Sequence, residues 1–209
     1  MIRGWRLYLS ARNTTAWLAL TTAATVLVLL AGVTVFELRV DPAKTPRFTP
    51  VWEAVPVLLA VLTPALLRPG LASWEMPGRA RIRARAASIA AVGALLPATL
   101  PWIAHWRLPP DARWWDISCN VAFFAAVSLL ATTFLGRLAG PIIGLCSYAA
   151  AIVVQQSAPQ LAAHLPVSGA STNLTAHPVA SIAIVAAASA AWYGTMGQSR
   201  FARNLHRNN

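Results

Sequence analysis

The chain has 209 residues, of which 57% are hydrophobic and only 11% are charged. This composition excludes an ordinary water-soluble domain and is typical of a membrane protein. The formal net charge of +11 does not require a nucleic acid partner, because the basic residues lie at the edges of long apolar segments, where they face anionic lipid.

Residues 1–15 precede the first long apolar segment and predict a short amphipathic helix in the inner membrane interface. Ile2 and Trp5 lie on one face at helical spacing, and Arg3 and Arg6 lie on another. We expect these two arginines to contact lipid headgroups. A frayed tail is the alternative, because short helices are only marginally stable.

Six segments are long and apolar, and a helix that crosses a bilayer core needs about 20 such residues. We predict membrane spans at about 16–36, 51–67, 86–104, 117–135, 138–154 and 179–196. The chain is therefore predicted to be an all-α integral membrane protein, with its transmembrane domain at 16–198 and a tail at 199–209.

Basic residues are most frequent in the segments that share a side with the N-terminus, which places both termini in the cytoplasm by the positive-inside rule. All but one of the 17 Lys and Arg residues are arginine, and alanine is abundant. This bias is expected of a GC-rich bacterial genome. We therefore predict a multi-pass protein of the bacterial plasma membrane.

The second predicted span contains Pro56 and Pro64, which predict a bend or local unwinding because proline removes a helical hydrogen bond. Glu53 is the only acidic residue within a predicted span. These three residues are candidates for lining a transport pathway, since ionisable groups inside a membrane are usually functional. Against this, Glu53 lies within one turn of the outer end, where we expect water to reach it.

Between the second and third spans, four arginines occupy every second position. If this segment is helical, Glu75, Arg79 and Arg83 share one face at intervals of four, while Arg81 and Arg85 point elsewhere. We predict that the first three bind a partner protein and that the other two bind lipid phosphates. Plain topology anchoring by the arginines is the alternative.

Three segments are predicted to lie outside the cell. Residues 37–50 contain three prolines and should form a short irregular crossing. Residues 105–116 are rich in tryptophan and are expected to form an aromatic belt at the outer headgroups. Residues 155–178 carry no charge and are predicted to form one or two short re-entrant helices, with a plain external loop as the alternative.

The fifth span begins with Gly136, Gly140 and Gly144 at intervals of four, and Tyr148 continues this stripe. Such a stripe lets another helix backbone approach closely. We predict helix packing here, and a contact with a second copy of the chain is one form that this packing could take.

No catalytic or metal-binding pattern occurs in the sequence. It contains no GxxxxGK[ST] phosphate loop, no HExxH and no GxSxG. Cys119 and Cys146 are predicted at different depths, too far apart for a disulfide. We therefore predict a protein that is not an enzyme, has no catalytic residue and binds no metal or cofactor itself.

The arrangement of these parts resembles the membrane (permease) subunit of a type 2 ABC exporter, of the small actinobacterial kind. The likeness is one of topology over nearly the whole chain. It includes the N-terminal amphipathic helix (Ile2, Trp5, Leu9), the charged loop after span two (Glu75, Arg79, Arg83) and the external segment before span six that prolines interrupt (Pro159, Pro166). The chain is short for this family and has a small first external loop.

The resemblance implies a separate ATPase subunit that binds ATP and Mg and docks at Glu75, Arg79 and Arg83. It also implies a second permease copy, in a homodimer or a paralogous heterodimer. The spans, which are uncharged apart from Glu53, indicate a hydrophobic or amphipathic substrate.

Two other functions fit parts of the same sequence pattern. The chain is alternatively a non-transporting membrane accessory, anchor or immunity protein that binds a partner through the same arginines. A secondary transporter driven by protons or sodium is disfavoured, because Glu53 is the sole candidate for the acids that such a protein needs deep in its bundle.

Overall fold

A computed structural model of the chain describes residues 13–31, 34–38, 47–67, 80–107, 113–167 and 178–195. Most of these residues are helical, in α1 (Thr14–Ala31), α2 (Val51–Leu67), α3 (Ala80–Leu95), α4 (Leu100–Ala104), α5 (Trp114–Leu135), α6 (Ala139–Ser157), α7 (Pro159–Ala162) and α8 (Pro178–Thr195). Two 3₁₀ helices, η1 (Leu96–Thr99) and η2 (His105–Arg107), flank α4.

Five helical stretches in the described residues are long and apolar enough to cross a membrane. They are Thr14–Ala31, Arg83–Ala104, Trp114–Leu135, Ala139–Ser157 and Pro178–Thr195. Helix α2 is also apolar but has 17 residues. The structure therefore agrees with a helical, multi-pass membrane protein, while the sixth span and the cytoplasmic position of both termini stay predictions.

The first predicted span, 16–36, is wrong at its end. Helix α1 ends at Ala31, and residues 35–38 are extended. The reason is local, because residues 33–35 are three consecutive β-branched residues, which favour extended backbone over helix.

The irregular crossing expected at 37–50 is also corrected, because its ends pair as a β-hairpin that the all-α prediction missed. Strand β1 (Val35–Leu38) is antiparallel to β2 (Arg47–Pro50). Val35 lies opposite Pro50, and Glu37 lies opposite Phe48. The hairpin joins α1 to α2 and brings the chain directly into the first turn of α2.

Helix α2 has the predicted bounds. Its prolines predicted a bend or local unwinding; the unwinding is wrong, and the bend stays a prediction. The α-helix continues through Pro56 and Pro64. Because Pro64 has no N–H, the carbonyl of Ala60 loses its helical donor. The Ser128 hydroxyl of α5 donates to the neighbouring carbonyl of Val61 over 2.7 Å. This bond holds α5 against α2 one residue along from the carbonyl that Pro64 leaves without its helical donor.

Helix α3 begins at Ala80, six residues before the predicted start of the third span at 86. The helical path then continues through η1 and α4 to Ala104, with Pro97 in η1 and Pro101 in α4. The start of α5 and the end of α6 lie three residues beyond the predicted bounds, and the other bounds of α5, α6 and α8 differ by one residue or none.

Helix α5 lies at the centre of the bundle, where it packs against α2, α6 and α8. Helix α2 also contacts α1 and α3, and α3 packs against α8. The core between α2 and α5 is apolar and fully buried, and it includes Val57, Val61, Val121 and Ala125. Large apolar side chains face outward, as lipid contact requires, including Leu18, Leu30, Leu138, Ile142, Val179 and Ile182.

Several predictions lie outside the described residues. These are the N-terminal helix with Arg3 and Arg6, the tail at 199–209, and part of the segment proposed to re-enter the membrane. Of that segment, α6 takes residues 155–157 and α7 is a single short helix, followed by turns to Val167. Its re-entry into the membrane stays a prediction.

Candidate functional site

Glu53 is fully buried, so the expectation that water reaches it is wrong. Its exposed fraction is 0%, although it lies in the first turn of α2. The Tyr148 hydroxyl of α6 donates to Glu53 Oε1 over 3.4 Å. The first turn of α2 is covered by α5, α6 and Val167 from the segment after α7.

Helices α5 and α6 bring polar side chains to this carboxyl of α2, and we call Glu53, Asn120, Tyr148 and Gln155 the Glu53 cluster. Asn120 is 2% exposed and Gln155 is 6% exposed. The ring of Phe124 packs edge-on against Tyr148, with centroids 5.2 Å apart. The space that these residues surround is too small for a water molecule. The cluster therefore combines one ionisable carboxyl with neutral oxygen and nitrogen groups in a dry part of the bundle.

The sequence reasoning identified Glu53 and Tyr148 but missed Asn120 and Gln155. The available signal was their position, since Asn120 lies inside the fourth predicted span and Gln155 lies one residue beyond the fifth. An amide within an apolar helix needs a partner, which makes it a marker of interior polar sites. Pro56 and Pro64, the other predicted pathway residues, are buried in α2.

A second feature is an apolar cavity of about 500 Å³ between the α3–η1–α4 path, α5 and α8. Its lining residues are uncharged and come from all three elements, as Leu95, Ala98, Thr99, Trp102, Trp115, Ser118, Cys119, Ala122, Pro178, Ser181, Ile182, Val185 and Ala186. This volume lies in the range of small-molecule sites. Sequence reasoning did not find the cavity, because it depends on how three separate helices diverge.

An aromatic cluster borders this cavity at the predicted outer ends of its helices. The Trp102 ring lies 4.9 Å from Trp114 and 5.4 Å from Trp115, measured between centroids. The Arg113 guanidinium forms an ion pair with Asp116 beside them. Trp102, Trp114 and Trp115 thus cluster at one place, and the position of the predicted aromatic belt in the headgroup region stays a prediction.

The glycine stripe is divided between two roles. A Cβ on Gly144 would lie 2.7 Å from Val61 Cγ1, and a Cβ on Gly140 would lie 2.9 Å from the backbone oxygen of Ser128. These two glycines let α6 pack closely on α2 and α5 of the same chain. Gly136 instead follows α5 with φ 116° and donates its N–H to the Thr132 carbonyl over 3.1 Å.

Gly136 is therefore a helix C-cap and not part of the packing stripe, which corrects its assignment. A φ of 116° favours glycine, because a side chain is strained there. Its position directly after Leu135 was the signal for a cap.

The structure describes only some of the basic residues before the third span. Arg81, Arg83 and Arg85 lie at the start of α3, where Arg83 is partly exposed and Arg85 is exposed. Glu75 and Arg79 lie outside the described residues. The docking face of Glu75, Arg79 and Arg83 therefore stays a prediction.

Metal binding has no candidate in the part of the chain that the structure describes. No group of three or more His, Cys, Asp or Glu side chains is placed there to hold an ion. Comparison with protein-family models, curated proteins and solved structures finds no match for this chain. The resemblance to ABC permeases thus rests on the sequence pattern alone.

Proposed function

We propose that this chain is the permease subunit of an ATP-driven exporter of the type 2 ABC kind in the bacterial plasma membrane. The observation that carries the proposal is that one helical path connects the basic residues before the third span to the apolar cavity. Helix α3 carries Arg83 and Arg85 in its first two turns, and the end of α3 and its continuation line the apolar cavity through Leu95, Ala98 and Trp102.

This path suits the transmission of a movement from a partner on the cytoplasmic side. Ala86, Ala90 and Ala94 are buried along α3, which packs against α2 and α8. Small residues let helices lie close and slide against each other without unpacking large side chains. A tilt of α3 driven at its basic end would therefore change the shape of the cavity wall.

The partners in this proposal are a separate ATPase subunit and a second permease copy. ATP and Mg would bind to the ATPase, which would dock on the face of Glu75, Arg79 and Arg83. The buried glycines of α6 pack inside one chain, so a contact between two copies would use the outward apolar faces of other helices. The uncharged cavity supports a hydrophobic or amphipathic substrate.

The test is copurification of the tagged chain from membranes of its native host, followed by measurement of ATP hydrolysis. We expect an ATPase with a phosphate-binding loop in the complex, and we expect Arg83→Gln with Arg79→Gln to release it. Arg113→Gln, on the opposite membrane side, is the matched control. If no ATPase copurifies and export of apolar dyes is unchanged without the protein, the non-transporting accessory function replaces this proposal.

The Glu53 cluster favours a second candidate, transport coupled to protons or sodium. A fully buried carboxyl among Asn120, Tyr148 and Gln155 is the kind of intramembrane group on which such coupling depends. Glu53→Gln keeps the size and the acceptor for Tyr148 but cannot ionise. Under this candidate, transport driven by an ion gradient is lost in Glu53→Gln and kept in the control Glu37→Gln. Unchanged transport in both variants would exclude it.

A further inference from the structure

We propose that the apolar cavity between α3, α5 and α8 binds one acyl chain of a membrane phospholipid. The inference concerns binding by this chain alone, and it holds whether or not an ATPase is coupled to it. It rests on the chemistry of the lining, on the depth of the cavity and on the placement of charge around it.

The hydroxyl groups of the lining are already engaged with backbone carbonyls. Thr99 donates to Leu96 over 2.7 Å, Ser118 donates to Trp114 over 3.0 Å, and Ser181 donates to Cys119 over 3.2 Å. A polar ligand entering the cavity would leave water without gaining these donors, at about 1–3 kcal/mol for each unsatisfied group. A hydrocarbon chain makes no hydrogen bonds to water and therefore loses none on entering the cavity.

The depth of the cavity matches one leaflet of a bilayer. Its lining on α8 extends from Pro178 to Ala186, which is about 12 Å at 1.5 Å per residue. A leaflet contributes about 15 Å of the hydrocarbon core. An acyl chain of a lipid whose headgroup lies beside Pro178 would therefore reach the end of the cavity.

The width of the cavity suits a single alkyl chain. The cavity is open to the surface of the bundle along one side and holds about 500 Å³. An alkyl chain is much narrower than a helix, which is about 10 Å across, so it fits within the cavity along its whole length.

Charge is distributed as a phospholipid requires. The lining carries no charged residue, which complements an uncharged alkyl chain. The Arg113–Asp116 ion pair and the imidazole of His105 lie near Trp114 at the bordering aromatic cluster. Indole rings are favoured at the level of lipid headgroups. The phosphate end would therefore meet charged and polar groups, while the acyl chain would meet no charged group.

The test compares two substitutions on neighbouring residues of α8. Ala186 lines the cavity, and Ala187 is exposed but is not part of the lining. The full chain is purified in detergent, exchanged into a second detergent to remove loosely held lipid, and weighed by native mass spectrometry. We expect the unsubstituted chain and Ala187→Phe to keep one phospholipid, and Ala186→Phe to keep at least about tenfold less.

A second measurement does not depend on the folding of Ala186→Phe. A phospholipid with a photoreactive group in its acyl chain is cross-linked to the unsubstituted protein, and the sites are mapped. We expect cross-links at Ala122 and Val185, and few at Ile142, which is exposed on α6. Equal labelling at Ile142, loss of lipid in Ala187→Phe, unchanged lipid in Ala186→Phe, or a retained molecule other than a phospholipid would each overturn the proposal. None of these readouts involves ATP, so a failure of the proposed exporter function would leave them unaffected.

Discussion

Replacing Gly144 by alanine should destabilise the bundle, because the added methyl group has no space. The new Cβ would lie 2.7 Å from Val61 Cγ1, 3.0 Å from Val61 Cγ2 and 3.1 Å from Ser128 Cβ. Valine is stiff at χ1 and Val61 is fully buried, so the backbones of α2 and α6 must separate. Such overpacking costs about 1–3 kcal/mol, while alanine gains about 0.5–1 kcal/mol in helix propensity. We therefore expect a net loss of about 1 kcal/mol, within a range of about 0–2.5 kcal/mol.

The free energy of unfolding is measured by titrating SDS into mixed micelles while helicity is followed by circular dichroism. Gly194→Ala is the matched control, because a Cβ at Gly194 on α8 meets nothing within 4 Å. We expect it to change stability by less than about 1 kcal/mol, in the stabilising direction.

A double-mutant cycle assigns the loss to this contact. Val61→Ala removes both methyl groups that the new Cβ would meet, so Gly144→Ala should cost less in the Val61→Ala background, with a coupling of about 0.5–3 kcal/mol. If Gly144→Ala is as stable as Gly194→Ala, or if the two substitutions add independently, then α6 does not pack on α2 as described.

Two further predictions concern contacts inside the bundle. Thr63→Val keeps the shape of the side chain but removes the hydroxyl that accepts a hydrogen bond from Trp17 Nε1 over 3.1 Å. In the same SDS titration, we expect the free energy of unfolding to fall by about 0.6–1.7 kcal/mol. Thr22→Val is its control, since the Thr22 hydroxyl is exposed and bonded within its own helix, and an equal loss there would contradict the role of the Trp17 bond. An apolar maleimide should label Cys146, which is exposed, faster than Cys119, which is buried, and the reverse order of labelling in single-cysteine variants would refute the placement of α5.

The helices were largely predictable because length and apolar composition are properties of a local segment. The bounds of α2 are those read from the sequence, and α5 and α8 differ little from theirs. The end of α1 was not predictable by hydropathy, since Val35 and Phe36 are apolar in a strand as much as in a helix. The signal for the end of α1 is the run of β-branched residues at 33–35, because such side chains disfavour the helical backbone.

A local pattern was also insufficient to assign the role of each glycine in the stripe before and within α6. Their spacing predicted close packing, and Gly140 and Gly144 do pack closely. The spacing could not show which surface they face, because a stripe is equally suited to a helix of the same chain or of a second copy. It also included Gly136, whose spacing is the same but whose positive φ belongs to the end of α5.

Glu53 shows why burial in a membrane protein does not follow from position along a helix. Being in the first turn of α2 suggested contact with water, on the assumption that the end of a span is the end of the protein. In the structure, Tyr148 and Gln155 of α6 and Val167 beyond α7 lie over that turn, so the chain covers its own helix end. The hairpin leads directly into α2, and its Thr49 is also buried. The burial of the carboxyl is thus set by contacts between residues about 95 positions apart in sequence, which no local pattern contains. The Glu53→Gln experiment therefore tests a group that is buried because separate helices pack around it.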